Sequence, residues 1–162
     1  SLSEVKAAAQ KTIDNVRTMG MASSPCTLPG AGKPNFQLAE DEVEIGMGIH
    51  GEPGINREKI TPAHELSRKL IDKILEDYDY TGSEVAVLVN GLGGTPLMEL
   101  YIMYDETRQY LQEKGIRIYK GMVGNYMTSL EMAGCSITLL KLDSELKQYL
   151  DAPCDATALK VI

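Results

Sequence analysis

Residues 85–97 read VAVLVNGLGGTPL. Val85 to Val89 are apolar without a break, as in a central strand covered on both faces. Asn90-Gly91-Leu92-Gly93-Gly94 then makes a tight turn. Thr95 and Pro96 supply a cap and a first helical position. The spacing predicts a helix to about Lys114, with Leu97, Leu100, Tyr101, Tyr104 and Leu111 inward and Gly115 as the stop. A buried strand feeding a helix in this way is the unit of α/β architecture.

The flanking segments repeat the theme. Downstream, residues 116–122 and 136–142 read as strands. Thr128 and Glu131 have capping-box spacing for a short helix ended by Gly134. Residues 143–150 suit one or two helical turns, and 158–162 a final edge strand. Upstream, Thr61 and Pro62 open a helix along which Ala63, Leu66, Leu70, Ile74 and Tyr78 recur at helical spacing. Residues 43–49 alternate, with Val43, Ile45, Met47 and Ile49 on one face, which predicts a strand. Residues 50–60 read as a loop, as do 29–42. Val5, Ala9, Ile13 and Val16 make an apolar stripe on a helix over 3–18, with Gly20 just past its end. The expectation is one domain over residues 1–162. It is α/β to mixed α+β, a layered domain with a mixed β-sheet flanked by helices.

Composition narrows the function. With 162 residues, 43% hydrophobic and 24% charged, the chain has material for a core and is not a disordered segment. The net charge of −7 comes without a Lys/Arg cluster, which argues against nucleic acid and anionic membrane as partners. No apolar run reaches the roughly 18 residues of a membrane span. Cys26, Cys135 and Cys154 are far apart, with no C-x-x-C, and read as reduced thiols of a cytoplasmic protein. The start at Ser1, without Met, suggests a fragment. The acidic run at 40–44 reads as a solvated face, and the eight methionines as core filler.

The chemistry concentrates in residues 44–54, EIGMGIHGEPG. Opposite the apolar row stand Glu44, Gly46, Gly48 and His50. Two glycines beside an imidazole leave bare backbone where a small ligand could approach. The competing reading is a surface histidine at a strand end, with the glycines serving a bulge. His64, in the first turn of a helix, reads as exposed and without a role. No G-x-S-x-G elbow accompanies either histidine. Asn90–Gly94 lies where anions often bind, yet it matches neither G-x-G-x-x-G nor a P-loop and reads first as a tight connection that needs glycines. If the sheet is parallel there, His50 and Asn90 share its carboxyl edge.

Four segments carry a family resemblance: MGMASSPCTLP (19–29), EIGMGIHGEPG (44–54), VNGLGGTPLMEL (89–100) and GNYMTSLEMAGCSITLLKL (124–142). They resemble the second, C-terminal domain of the dihydroxyacetone kinase substrate-binding subunit. The similarity runs over nearly the whole chain, and G-I-H-G-E-P-G is its most specific part. It implies that His50 attacks the carbonyl carbon of dihydroxyacetone to form a hemiaminal, with Gly51 and Glu52 shaping and polarising the site. An imidazole of ordinary pKa, about 6.5, is mostly unprotonated near neutral pH and so nucleophilic. The resemblance places ATP and magnesium on a separate nucleotide-binding subunit and none in this domain. It also places a general-base aspartate in the family's first domain, which this chain lacks, and implies a homodimer, for which an exposed edge strand could serve. The implied activity is glycerone kinase, with ATP or a phosphotransferase-system protein as donor. A dihydroxyacetone-sensing paralogue that coactivates a transcription regulator is the alternative.

Overall fold

A computed structural model describes residues 1–34, 36–50 and 52–161. Their elements are α1 (Leu2–Asn15), β1 (Val16–Ala22), β2 (Glu42–Ile45), β3 (Asn56–Lys59), α2 (Ala63–Asp77), β4 (Glu84–Gly91), α3 (Leu97–Glu113), β5 (Arg117–Gly124), β6 (Gly134–Leu142), α4 (Ser144–Asp151), β7 (Cys154–Asp155) and β8 (Lys160–Val161). Six strands form one mixed sheet in the order β3-β2-β1-β6-β4-β5. Only β4 and β5 pair in parallel; the other neighbours are antiparallel. The layered α/β expectation holds.

Strand periodicity divides the sheet into two faces. Val85, Val87 and Val89 of β4, with Ile137 and Leu139 of β6 and Val43 and Ile45 of β2, enter a core closed by α2 and α3. The two helices touch through small hydroxyls: Ser67 Oγ lies 3.1 Å from Thr107 Oγ1. The inward side of α3 is Leu100, Met103, Thr107, Tyr110 and Leu111. Leu97 and Tyr101, expected inward, are exposed, since they lie off the face that carries Leu100, Met103, Thr107 and Leu111. The register between β4 and β5 slips after Val85, leaving Tyr119 unpaired. Lys120, opposite Ala86, therefore faces the other side of the sheet, where its Nζ donates to Leu150 O of α4 at 2.9 Å. The part of this second face that α4 leaves open is a groove of about 430 Å³ over Thr18, Gly20, Leu88 and Thr138.

Several sequence expectations need correcting. Residues 16–18 belong to β1 rather than to the first helix, whose stripe of Val5 and Ile13 is exposed. Strand β2 ends at Ile45, because Gly46 has φ +83°, outside extended backbone. Strand β3 lies inside the expected 50–60 loop. Residues 128–133 form a loop, not a helix. Thr61 does not cap α2: Pro62 is its N-cap, and the buried Thr61 Oγ1 has no hydrogen-bond partner among the described residues. Thr95 likewise leaves α3 uncapped and binds β6 instead, exchanging hydrogen bonds with Gly134 N and O at 2.7 and 2.8 Å. Only residues 160–161 of the expected last strand are extended, paired with β7; Ile162 lies outside the described residues.

Two buried acids tie stability to alkaline pH. Burial pushes the Tyr80 phenol and the Cys135 thiol up to about 12, from ordinary values near 10 and 9. The unfolded chain loses these protons first, so their contribution is complete below about pH 9 and disappears as pH rises toward 12. The urea midpoint is expected to fall steadily over that window. Cys135→Ala, which has no thiol to ionise, should make the first part of the decline shallower.

Candidate functional site

The loop that carries His50 is built from both ends. At its start, Gly46 N donates to Gly20 O at 2.7 Å. At its return, Ile55 N donates to Ile45 O at 2.7 Å and Gly54 N to a Glu44 carboxylate oxygen at 2.7 Å. Gly54 must be glycine, since a Cβ there would stand 2.3 Å from Ile45 O. Between these ends, Met47 turns into a second apolar cluster with Ala22, Cys26, Leu92 and Met132, against which Ile49 also packs. This cluster anchors the loop beside the ends of β1 and β4.

His50 stands on that anchor with its side chain 79% exposed. Its Nδ1 lies 2.8 Å from Glu52 Oε1, and its backbone N–H donates to Glu52 Oε2 at 3.1 Å. Hydrogen bonds from its own backbone N–H, then from the His50 ring and main chain, hold the Glu52 carboxyl below the usual carboxylate range. An ionised carboxylate accepts only, so Nδ1 carries the proton and Nε2 keeps its lone pair. Nε2 has no hydrogen-bond partner among the described residues.

Gly46 and Gly48 do line the groove of about 430 Å³ over the open face of the sheet, but the position of a Cβ on either is already taken by the protein. A Cβ on Gly48 would be 2.1 Å from Glu52 Oε2, and one on Gly46 would be 3.2 Å from Ile55 Cγ1. The cleared space is taken by the protein itself, and at Gly48 the occupant is the carboxylate that holds the histidine. Glu44 is not solvated: it is 4% exposed. Gly51 lies outside the described residues.

A second open space borders the histidine itself. His50 and Ile49 share a cleft of about 460 Å³ with Cys26, Leu28 and residues Thr128–Leu130. None of the cysteines, Cys26 included, forms a disulfide. Asn90, 4% exposed, shapes the cleft wall indirectly. Its Oδ1 accepts from Tyr126 N and Met127 N, each at 2.9 Å, and its Nδ2 donates to Met127 O at 2.7 Å. It thus fixes the start of the 126–130 loop. Gly93, at φ +116°, lets Leu130 O approach to 2.0 Å from where a Cβ would be. The Gly94 N–H is spent on Met132 O. Residues 90–94 are therefore a packing turn; their N–H groups do not form an anion cradle. Glu131 binds the Thr27 N–H instead of capping a helix, which joins the two walls of the cleft. His64 is exposed, as expected.

Asn90→Ala would strand the two N–H groups and the carbonyl that Asn90 serves. The expected cost is about 2–4 kcal/mol, read by urea denaturation, with faster amide exchange at Tyr126 and Met127.

Sequence reasoning singled out His50 and Glu52, which the structure brings into hydrogen-bond contact. It missed Thr128, Ser129 and Leu130, which line the same cleft as His50 although they are remote from it in sequence. It also missed the burial of Glu44, which the alternation of 43–49 masked.

The Dak1 domain model matches residues 1–158. The chain belongs to this family. A PTS-dependent dihydroxyacetone kinase 1, dihydroxyacetone-binding subunit DhaK of Listeria innocua is 50% identical over 160 residues, covering 98% of this chain and 49% of that protein. The dihydroxyacetone kinase operon co-activator Dha-DhaQ superposes with a TM-score of 0.88 at 36% identity, over 94% of this chain and 48% of that one. The dihydroxyacetone kinase from C. freundii in complex with AMP-PNP and Mg²⁺ does so with a TM-score of 0.83 at 27% identity, over 99% of this chain and 30% of that one. The Dak1 chain described here spans about half the length of the curated relatives it matches. None of its described helices is long and apolar enough to cross a membrane.

Proposed function

We propose that this chain is the dihydroxyacetone-capturing half of a glycerone kinase site, with His50 as the nucleophile. The observation that supports this most directly is the oriented ring, with Nδ1 on Glu52 and Nε2 unpartnered above a cleft. Nε2 donates its lone pair to the ketone carbon. The C=O π pair moves to oxygen, which takes a proton from water. The ring, cationic for that moment, loses its Nδ1 proton to solvent past Glu52. The product is a neutral hemiaminal in which no atom is lost and nothing is oxidised. Glu52 stabilises the intermediate cation and fixes the tautomer that makes Nε2 the attacking atom.

Capture through a carbonyl gives a selectivity that a shaped pocket does not. Glycerol matches the hydroxyls of dihydroxyacetone but offers no electrophilic carbon. A tethered ketone then presents a hydroxyl for phosphoryl transfer, a reaction limited by positioning and charge stabilisation. On this reading nucleotide and magnesium belong to a separate nucleotide-binding subunit, and no step in this domain runs through them. Among the described residues, no three His, Cys, Asp or Glu side chains are grouped to hold a metal ion. The other half of the site, with a general-base aspartate, comes from the half of the relatives that this chain does not span. The setting is cytoplasmic, and the working unit a homodimer.

Electrospray mass spectrometry under native conditions tests the capture. The protein should gain the full mass of one dihydroxyacetone and nothing from glycerol, and His50→Ala should gain neither. Adduct of wild-type extent on His50→Ala would reject the assignment. The similarity to the Dha-DhaQ co-activator favours a second reading, a ketone sensor without phosphoryl transfer. Turnover of bound dihydroxyacetone in the presence of the nucleotide-binding subunit separates the two.

A further inference from the structure

We infer that the buried Glu44, paired with the half-exposed Arg57, forms a clamp that positions the His50–Glu52 pair, a role that rests on the function proposed above. Glu44 and Arg57 face each other across the β2–β3 ladder, and Arg57 Nε donates to Glu44 Oε2 at 2.9 Å. A cross-strand ion pair alone would be ordinary. Glu44 does more, since its other oxygen, Oε1, reaches past the last ladder pair to the N–H of Gly54 at 2.7 Å. One carboxylate thus ties the strand that enters the His50 loop to the segment that leaves it.

The clamp matters because, among the described residues, His50 and Glu52 are otherwise set against each other by their own two hydrogen bonds and one internal backbone bond. The internal backbone bond, Gly48 N to Glu52 O, is long at 3.4 Å. His50 and Glu52 are themselves exposed, so packing does not restrain them. The position of Glu52 relative to His50 depends on where Gly54 is pinned, two residues further on. Burial makes that pin directional: at 4% exposure, water does not compete for the carboxylate. Glu44 touches neither the cleft nor the ring and is a positioning residue.

The test uses Glu44→Ala and Arg57→Gln in the protein with ¹⁵N-labelled histidine. Ring ¹⁵N shifts without ligand report how far Nδ1 holds the proton and Nε2 the lone pair. Wild type should show that tautomer dominant. Glu44→Ala should show a mixture of tautomers and bind dihydroxyacetone at least about tenfold more weakly, with little change in the turnover of substrate once bound. Arg57 is half exposed and its loss is compatible with folding. Arg57→Gln should show the same change at about threefold, because Glu44 keeps Gly54 but loses its second tether. A folded variant of either kind with wild-type ring shifts and wild-type affinity would overturn the clamp. Wild-type protein that forms no adduct overturns the proposed function instead, and the ligand-free ring shifts still decide the clamp.

Discussion

Replacing His50 with alanine is expected to lower kcat/KM for dihydroxyacetone by about 10²–10⁴-fold in the kinase assembled with its nucleotide-binding subunit. The range follows from what the proposed covalent bond would supply. Without it, a three-carbon ketone is held in an open cleft of about 460 Å³ by a few hydroxyl contacts. With it, the reacting hydroxyl is fixed to within one or two bond rotations. The fold should be unaffected, because the side chain is 79% exposed. Selectivity should change too: the preference for dihydroxyacetone over glycerol should collapse toward unity in the variant. Acid should mimic the mutation in wild type. Protonating Nε2 removes the attacking pair, whereas hydrogen bonds hold the Glu52 carboxyl below the usual carboxylate range. Adduct formation therefore falls as pH falls, and the loss reverses on return to neutrality.

Gly48→Ala should come close to the same loss without touching a reactive atom. The new Cβ would require the space of Glu52 Oε2, 2.1 Å away, and of Cδ, 2.9 Å away. Gly48 has no positive φ, so its backbone accepts alanine. The carboxylate is the end of a flexible, exposed side chain and is the part that moves. Once it swings out, Nδ1 loses its acceptor, the tautomers mix and the ring turns freely. Expected are a drop in adduct affinity of about 10–100-fold and a stability change within about 0.5 kcal/mol. Titration with dihydroxyacetone and urea denaturation read the two quantities separately. A large stability loss with intact affinity would assign Gly48 to packing.

How much of this was legible in the chain depends on how local each cause is. Strand β4, with its unbroken run from Val85, and the phase of α2 are written in adjacent residues. Strand β1 is not, because Val16 continues the spacing of the preceding helix and Gly20 looks like a helix stop. Gly20 instead sits where Met47 O comes within 2.9 Å of a would-be Cβ, a contact between segments remote in sequence. Strand β3, Asn-Arg-Glu-Lys, carries no apolar residue and is held by its pairing with β2 at the edge of the sheet. In the site, the His50–Glu52 contact spans two residues and could be anticipated. The buried carboxylate of Glu44 could not, since its burial comes from Arg57 and Gly54 folding back over it. The cleft wall at Thr128–Leu130 depends on Asn90 gripping residues 126 and 127, which no local pattern signals.

The most direct measurement is a carbon NMR spectrum of dihydroxyacetone labelled with ¹³C at the carbonyl and mixed with ¹⁵N-histidine protein. The expected result is a bound resonance at a tetrahedral shift, split by one-bond coupling to the Nε2 of His50 and absent from His50→Ala. A bound resonance that stays in the ketone range, with no coupling to nitrogen, would contradict covalent capture.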